Sequence, residues 1–520
     1  MKTMRLSFGC AVLAAFTLSS LLAAGSNRID KLAPDLRESM TLSHDQRVIV
    51  TYAADLDESG IQALVSKSGR ASKRLSGSKL ITSSVSRREI EALESDSRVL
   101  SISPDRKVVA TMDMAVPTIG ADRLGQFLGY SGKGVTVAII DSGLTPNTAV
   151  PNSRILTSVD FTGVGRNTDA FGHGTHIAGT IGGSGAKGSV RGVAPGAALV
   201  SLRVLDAKGQ GYVSSVIEAI DWTIANRREL GIRVLNLSFG HPPAESYRTD
   251  PLAHAVERAW ASGLVVVASA GNRGRDGHFT INAPGNDPYV LTVGAMNDVN
   301  TADRGDDNTT TYSSKGPSFG DYILKPDLVA PGNRIVSSLA PGATLGRLYP
   351  DRVVSRDRIE LSGSSMSTAV VSGAVAILLQ RNPRLTPDQV KAILLFSADR
   401  LTEVDRFAVG AGYLNLIHAV AMTGQFRSVR FNSASPVVRP NGVGGFSLRP
   451  SPSILDAATA TWGDTATWGD TATWGDTATW GDTAVWGDTA TWGDTAVHSV
   501  CCCYTNHSCL RTYYGGCRRK

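Results

Sequence analysis

Between Cys10 and Cys501 the chain contains no cysteine. That absence excludes a disulfide framework for the body of the protein, so the fold there needs no covalent cross-links. Five of the six cysteines crowd between Cys501 and Cys517, and with an odd number at least one stays free, pairs with another molecule or binds metal. Charge of one sign is also missing as a block. The 52 Lys and Arg against 46 Asp and Glu leave +6 spread along 520 residues, which gives nucleic-acid binding no support. Spanning-length apolar runs are absent with one exception, Leu6 to Ala24, which follows Lys2 and Arg5 and ends in Ala23-Ala24-Gly25. This pattern predicts a secretory signal peptide over residues 1–25 and hence an extracellular, secreted product. An uncleaved membrane anchor competes with that reading, but Ser, Thr and Gly interrupt the run and it barely reaches spanning length.

What the chain has in quantity is glycine, 54 residues, which suits a fold rich in tight turns between strands and helices. Residues 46 to 103 predict strand, helix, strand, helix, strand. Val48, Val50 and Tyr52 alternate as on a half-buried strand, Ile61, Leu64 and Val65 have helical spacing, and Ser86 with Glu89 forms a capping box. This is a small α+β module, too short to be an enzyme by itself. From 112 to 424 short apolar runs, Val135–Ile140, Ala198–Leu202, Val234–Leu237, Leu264–Ala268 and Tyr289–Val293, alternate with helical stretches at 213–226, 251–262 and 386–398. Such alternation predicts an α/β domain, a parallel sheet flanked by helices. Residues 425–460 read as a linker. Trp-Gly-Asp-Thr-Ala then recurs with period six over 461–497, with tryptophans at 462, 468, 474, 480, 486 and 492, and a cysteine-rich tail fills 498–520. An even period holds each side chain on one face of a strand, so the repeat is either a strand-forming array or a flexible spacer.

Three segments carry chemistry. Val137-Ala-Ile-Ile-Asp-Ser-Gly143 ends an apolar strand in a carboxylate, at the edge where parallel sheets build sites. Phe171-Gly-His-Gly-Thr-His-Ile-Ala-Gly179 sets His173 between two glycines at a helix start. His176 follows within a turn, but the Glu and the spacing of a zinc-binding His-Glu-x-x-His are missing, so no metal is assigned. Leu361-Ser-Gly-Ser-Ser-Met-Ser-Thr-Ala369 puts Ser365 at the first turn of a buried helix, where unpaired N–H groups favour negative charge. Each segment alone is an ordinary turn or cap. Together they supply a nucleophile, a base and a group that orients the base.

The order Asp141, His173, Ser365, each in its glycine-rich surround, resembles the subtilisin-like serine peptidase family, over residues 112 to about 424. Arg191-Gly-Val-Ala-Pro195, Ala268-Ser-Ala-Gly-Asn-Arg273 and Lys325-Pro-Asp-Leu-Val-Ala-Pro-Gly332 agree with it. The resemblance implies a subtilisin-like parallel sheet flanked by helices, protein or peptide substrates, and no cofactor for catalysis. It implies Ser365 as nucleophile, His173 as base, Asp141 as its orienter, and Asn272 as the side-chain donor to the oxyanion. Gly209 and Gly211, with Ser238, Phe239 and Gly240, resemble the two edges that take an extended peptide as an added strand. The 46–103 module resembles an inhibitor-type, ferredoxin-like propeptide, so residues 26–111 are expected to be a propeptide, itself a partner of the domain, with self-cleavage between Lys107 and Met114.

Departures are few. Thr368-Ala-Val370 stands where the family has Thr-Pro-His, and the 182–190 loop offers Ser184 and Ser189 as its only side-chain oxygens, leaving a structural calcium without a carboxylate. Arg304-Gly-Asp306 matches an adhesion tripeptide by chance. The competing readings are a catalytically silent binding protein of the same fold and a surface adhesin whose repeat contacts cell envelope or polysaccharide.

Overall fold

Val48, Val50 and Tyr52 alternate with Arg47, Ile49 and Thr51, and in a computed structural model of the chain the two sets face opposite ways. The structure describes residues 118 to 424 almost without a break, residues 31 to 110 in segments, and beyond them 433–440, 446–449, 478–479 and 485–486. The expected signal peptide, the cysteine-rich tail and nearly all of the hexapeptide repeat lie outside the described residues. The N-terminal unit contains Gln46–Tyr52 (β1), Arg70–Arg74 (β2), Leu80–Val85 (β3), Arg87–Glu94 (α1) and Val99–Pro104 (β4). Its four strands form an antiparallel sheet ordered β2-β3-β1-β4. Val48, Val50 and Tyr52 join Ile90 and Leu93 of α1 in a core of their own, while Ile49 and Leu80, on the other face, belong to the large core of the following domain. The period-2 pattern of one strand thus makes the small sheet both a folded unit and a lid. α1 begins as expected, with the Ser86 N–H donating to Glu89 at 2.6 Å.

After this unit come Lys107–Ala110 (β5) and then Thr136–Asp141 (β6), Ile155–Asp160 (β7), His173–Gly182 (α2), Ala198–Arg203 (β8), Gln210–Tyr212 (β9), Val213–Asn226 (α3), Ile232–Leu237 (β10), Phe239–Gly240 (β11), Pro251–Ala261 (α4), Val265–Ser269 (β12), Leu291–Asn297 (β13), Asn308–Thr309 (β14), Leu328–Pro331 (β15), Ser364–Arg381 (α5) and Pro387–Phe396 (α6). The main sheet is ordered β14-β13-β12-β10-β6-β8-β7, with β15 also paired to β13. Among the described residues β14 alone runs antiparallel. All five apolar runs become strands of this sheet. β7 does not show as such a run because most of its residues are only half-buried. α5 is buried from Ser364 to Leu379 and packs on α2, β10, β12, β13 and β15, so it crosses the interior.

Part of the expected linker is structure. Ser433 and Ser435 are buried, Val437–Pro440 pairs antiparallel with Phe446–Arg449, and Val438 packs with Leu324 and Phe407. The reason is a buried charge cluster that needs a lid. Lys391 Nζ donates to the Pro288 carbonyl and to Ser435 Oγ, both at 2.8 Å, and Lys325 Nζ donates to Asp327 Oδ2 at 2.7 Å. Burial pushes the Lys325 pKa down to about 7, even with Asp327 beside it. Ser435 Oγ donates to Asp327 Oδ1, so this strap completes the hydrogen bonding of ions that are buried from solvent. Ending the chain at Gly424 is expected to lower stability by about 2 kcal/mol or more, measured by urea unfolding. Ending it at Arg449 should leave the midpoint unchanged.

Candidate active site

Asp141 is the last residue of β6, Ser238 follows β10, and Asn272 lies just past β12, so three neighbouring strands deliver their carboxyl ends to one place. The two helix starts supply the rest. His173 opens α2, and Ser365 lies in the first turn of α5. Asp141, His173 and Ser365 are all fully buried.

His173 Nδ1 stands 2.8 and 2.9 Å from the two oxygens of Asp141. A carboxylate can only accept, so Nδ1 carries the proton and Nε2 is left with its lone pair, the form that can act as a base. Nε2 is buried and has no hydrogen-bond partner. The Ser365 hydroxyl donates instead to the Ser238 carbonyl, at 2.8 Å. A rotation about one side-chain bond is therefore needed before it can give its proton to the imidazole.

A clasp sets the distance between Asp141 and His173, and sequence reasoning missed it. Ser142 Oγ donates to Asp169 at 2.8 Å and accepts the Gly174 N–H at 2.9 Å, while Asp169 also accepts from the backbone of Gly172 and Thr175, both at 2.7 Å. Burial pushes the Asp169 carboxyl up, and these donors pull it back. The only sequence signal was the serine after Asp141. His176, the other histidine of the segment, is buried and neutral. Its Nε2 donates to the Ile335 carbonyl at 3.0 Å, and desolvation lowers its pKa to about 3.

Asn272 is held by its oxygen. Oδ1 accepts from the Ser364 N–H at 3.0 Å and from Ser364 Oγ at 3.1 Å, which turns Nδ2 the other way, buried and without a partner. A buried N–H donor with nothing to bind is costly unless a ligand oxygen is to meet it. Ser364 was not singled out in the sequence, although it adjoins Ser365.

The expected peptide-binding edges are β9 and β11, and β5 lies between them in one three-stranded antiparallel sheet. Val108 pairs with Gly211, Val109 with both Gln210 and Gly240, and Ala110 with Phe239. Packing alone requires glycine at 211. A Cβ there would lie 2.2 Å from the Val204 carbonyl oxygen. Gly209 forms the turn before β9, with its N–H donating to Asp206 O, and Ser238 is engaged with Ser365 through both its carbonyl and its hydroxyl. Arg304 of the Arg-Gly-Asp tripeptide is tied to Asp399 at 2.6 Å and lies over the Tyr413 ring.

A family model described as the subtilase family matches residues 132–412. Serine protease AprX of Bacillus subtilis is 37% identical over 338 residues, 62% of this chain and 75% of that protein. Subtilisin DY of Bacillus licheniformis is 33% identical over 308 residues, 59% of this chain and 97% of the relative. Among solved structures, fervidolysin from Fervidobacterium pennivorans, a keratinolytic enzyme related to subtilisin, matches with a TM-score of 0.59 at 21% identity, covering 72% of this chain and 61% of that one.

A Cβ at Gly174 would stand 2.1 Å from the Gly143 carbonyl oxygen and 3.2 Å from Asp141 Cβ. Gly174→Ala should therefore push α2 off the Asp141 turn. Turnover of a peptide substrate is expected to fall by about 100-fold or more, with little change in KM, in steady-state kinetics.

Proposed function

Taking as premise that the chain belongs to the subtilase family of serine peptidases, we propose that it is a secreted endopeptidase made as a zymogen that cuts itself. The observation that carries this reading is the buried pair of Asp141 and His173, with the base's lone pair free, beside Ser365 and an unpartnered Asn272 donor. Ser365 Oγ attacks the scissile carbonyl and gives its proton to His173 Nε2. Asp141 holds the ring and stabilises the imidazolium. The tetrahedral oxyanion takes hydrogen bonds from Asn272 Nδ2 and the Ser365 N–H. His173 then returns the proton to the leaving amine, and water repeats the sequence on the acyl-enzyme. The steps draw on side chains and backbone alone.

The zymogen part rests on β5. A strand clamped between both edges occupies the cleft as a substrate would, so the N-terminal unit inhibits what it precedes. The unit also holds on elsewhere. Asp105 accepts from the Ser214 N–H at 2.9 Å and from Ser214 Oγ at 2.7 Å, at the start of α3, and Arg47 lies 4.4 Å over the Tyr212 ring. α3 has no side-chain cap from its own N-cap residue, Tyr212, so the unit provides one. That is a physical basis for a folding role. The export signal of residues 1–25 carries the extracellular assignment, and the hexapeptide tail is kept as a contact for envelope or polysaccharide.

β5 ends with Ala110 opposite Phe239, one residue short of Ser238. Counting on by one makes the bond between Thr111 and Met112 the one to be cut. N-terminal sequencing of the processed protein should read Met112-Asp113-Met114, and a start elsewhere would correct this register alone. Ser365→Ala should accumulate at unprocessed length, and normal processing of the purified variant would sink both the nucleophile and the self-cutting. Asn272→Ala should lower turnover by about 100- to 1000-fold, the size known for the matching substitution in a subtilisin. A serine-directed phosphonate should label the processed protein on Ser365, whereas a binding-only protein stays unlabelled.

A further inference from the structure

A cavity of about 500 Å³ takes part of its wall from the segment that leads into the nucleophile's turn. Its lining includes Ser362, three residues before Ser365, and Arg275, three residues after Asn272, but no residue of β9 or β11. Those two edges hold the part of a substrate that precedes the cut bond, as they hold β5. A cavity walled by residues close in sequence to Ser365 and Asn272, and not by those edges, suits the part that follows the bond.

Its wall is tied to the catalytic loop. Ser362 Oγ donates to Asn333 Oδ1 at 3.2 Å and accepts the Arg334 N–H at 3.2 Å, and Asn333 Nδ2 donates to Asn297 Oδ1. The charge is one-sided. Arg275, Arg334 and Arg352 line the cavity, and among the described residues that line it there is no carboxylate. Arg334 is shared with Glu360 at 3.3 Å, Arg275 reaches Thr311 Oγ1 at 3.4 Å, and Arg352 lies 4.9 Å over the Tyr349 ring. Fixed guanidinium groups among amide donors suit a carboxylate, which they can bind through two parallel hydrogen bonds, and they repel an ammonium.

We propose that this cavity is the subsite for an acidic side chain two or three residues past the cut bond, with Arg275, Arg334 and Arg352 as its specificity determinants. The proposal rests on the peptidase reading above. The cut site proposed above is consistent with it. Cleavage between Thr111 and Met112 makes Asp113 the second residue past the bond.

The test uses the processed wild-type enzyme and fluorogenic peptides that differ only in carrying Asp, Asn or Lys at the second or third position past the bond. The Asp peptides are expected to have kcat/KM about 10-fold above the Asn peptides at low salt, mainly through KM, with Lys lowest. The preference should shrink in 1 M NaCl, where the Debye length falls to about 3 Å. Arg275→Gln, Arg334→Gln and Arg352→Gln should each move the Asp-to-Asn ratio toward one, and replacement by Lys should restore part of it. Equal rates for all three peptides in the wild type would overturn the subsite and leave the peptidase standing. Failure to cut any of them would overturn both.

Discussion

Asp141 is a carboxylate with no solvent on it, and the cleft is built around the one arrangement that makes this tolerable. Leaving such a charge without water costs several kcal/mol unless fixed donors replace the lost hydration. The donors here are His173 Nδ1 and the Ser142 N–H, and each is held in turn by backbone or by Asp169. Because Asp141 accepts the Nδ1–H hydrogen bond, the ring proton stays on Nδ1 and the other ring nitrogen keeps its lone pair. The lone pair on His173 Nε2 is thus a by-product of satisfying a buried charge, and anything that moves α2 relative to β6 loses both together.

The central strands are legible in the sequence because burial on both faces leaves continuous apolar runs, as in Val265–Ser269. Asp141, His173 and Ser365 are legible because glycines and small residues crowd around them. β7 is not, since half-buried strands lack that signature, and neither is the strap at 433–440, whose serines and prolines read as linker until the charge beneath them is seen. Asp169 and Ser364 are hidden for another reason: the contacts that tie them to the site, with Ser142 and Asn272, span 27 and 92 positions along the chain. Gly211 shows how a residue singled out for one role can be fixed by another, because the Val204 carbonyl leaves no room for a side chain there. The arginine cavity gathers residues from six separate segments of the chain, and no local pattern could announce it.

The ionic cluster under the strap follows the same logic as the active site. Lys325, Lys391 and Asp327 are buried, and the carboxyl of Asp327 is pushed up by burial but held below its ordinary value by the two ammonium groups. Its purpose in the fold is to join β13, β15, α6 and the residues after the domain at a single point. A cluster of this kind contributes geometry more than stability, because most of its Coulomb gain is cancelled by desolvation.

Asp105 reaches out of the N-terminal unit to close the start of α3. If the chain is cut where β5 ends, that carboxylate leaves with the discarded piece, and the helix keeps a shape it was given by something no longer present. The folded enzyme then has hysteresis. The route in used a group that the route out cannot call back, so unfolding after maturation is a ratchet that turns one way, and the lifetime of the mature form is set by the height of its barrier and not by the depth of its well.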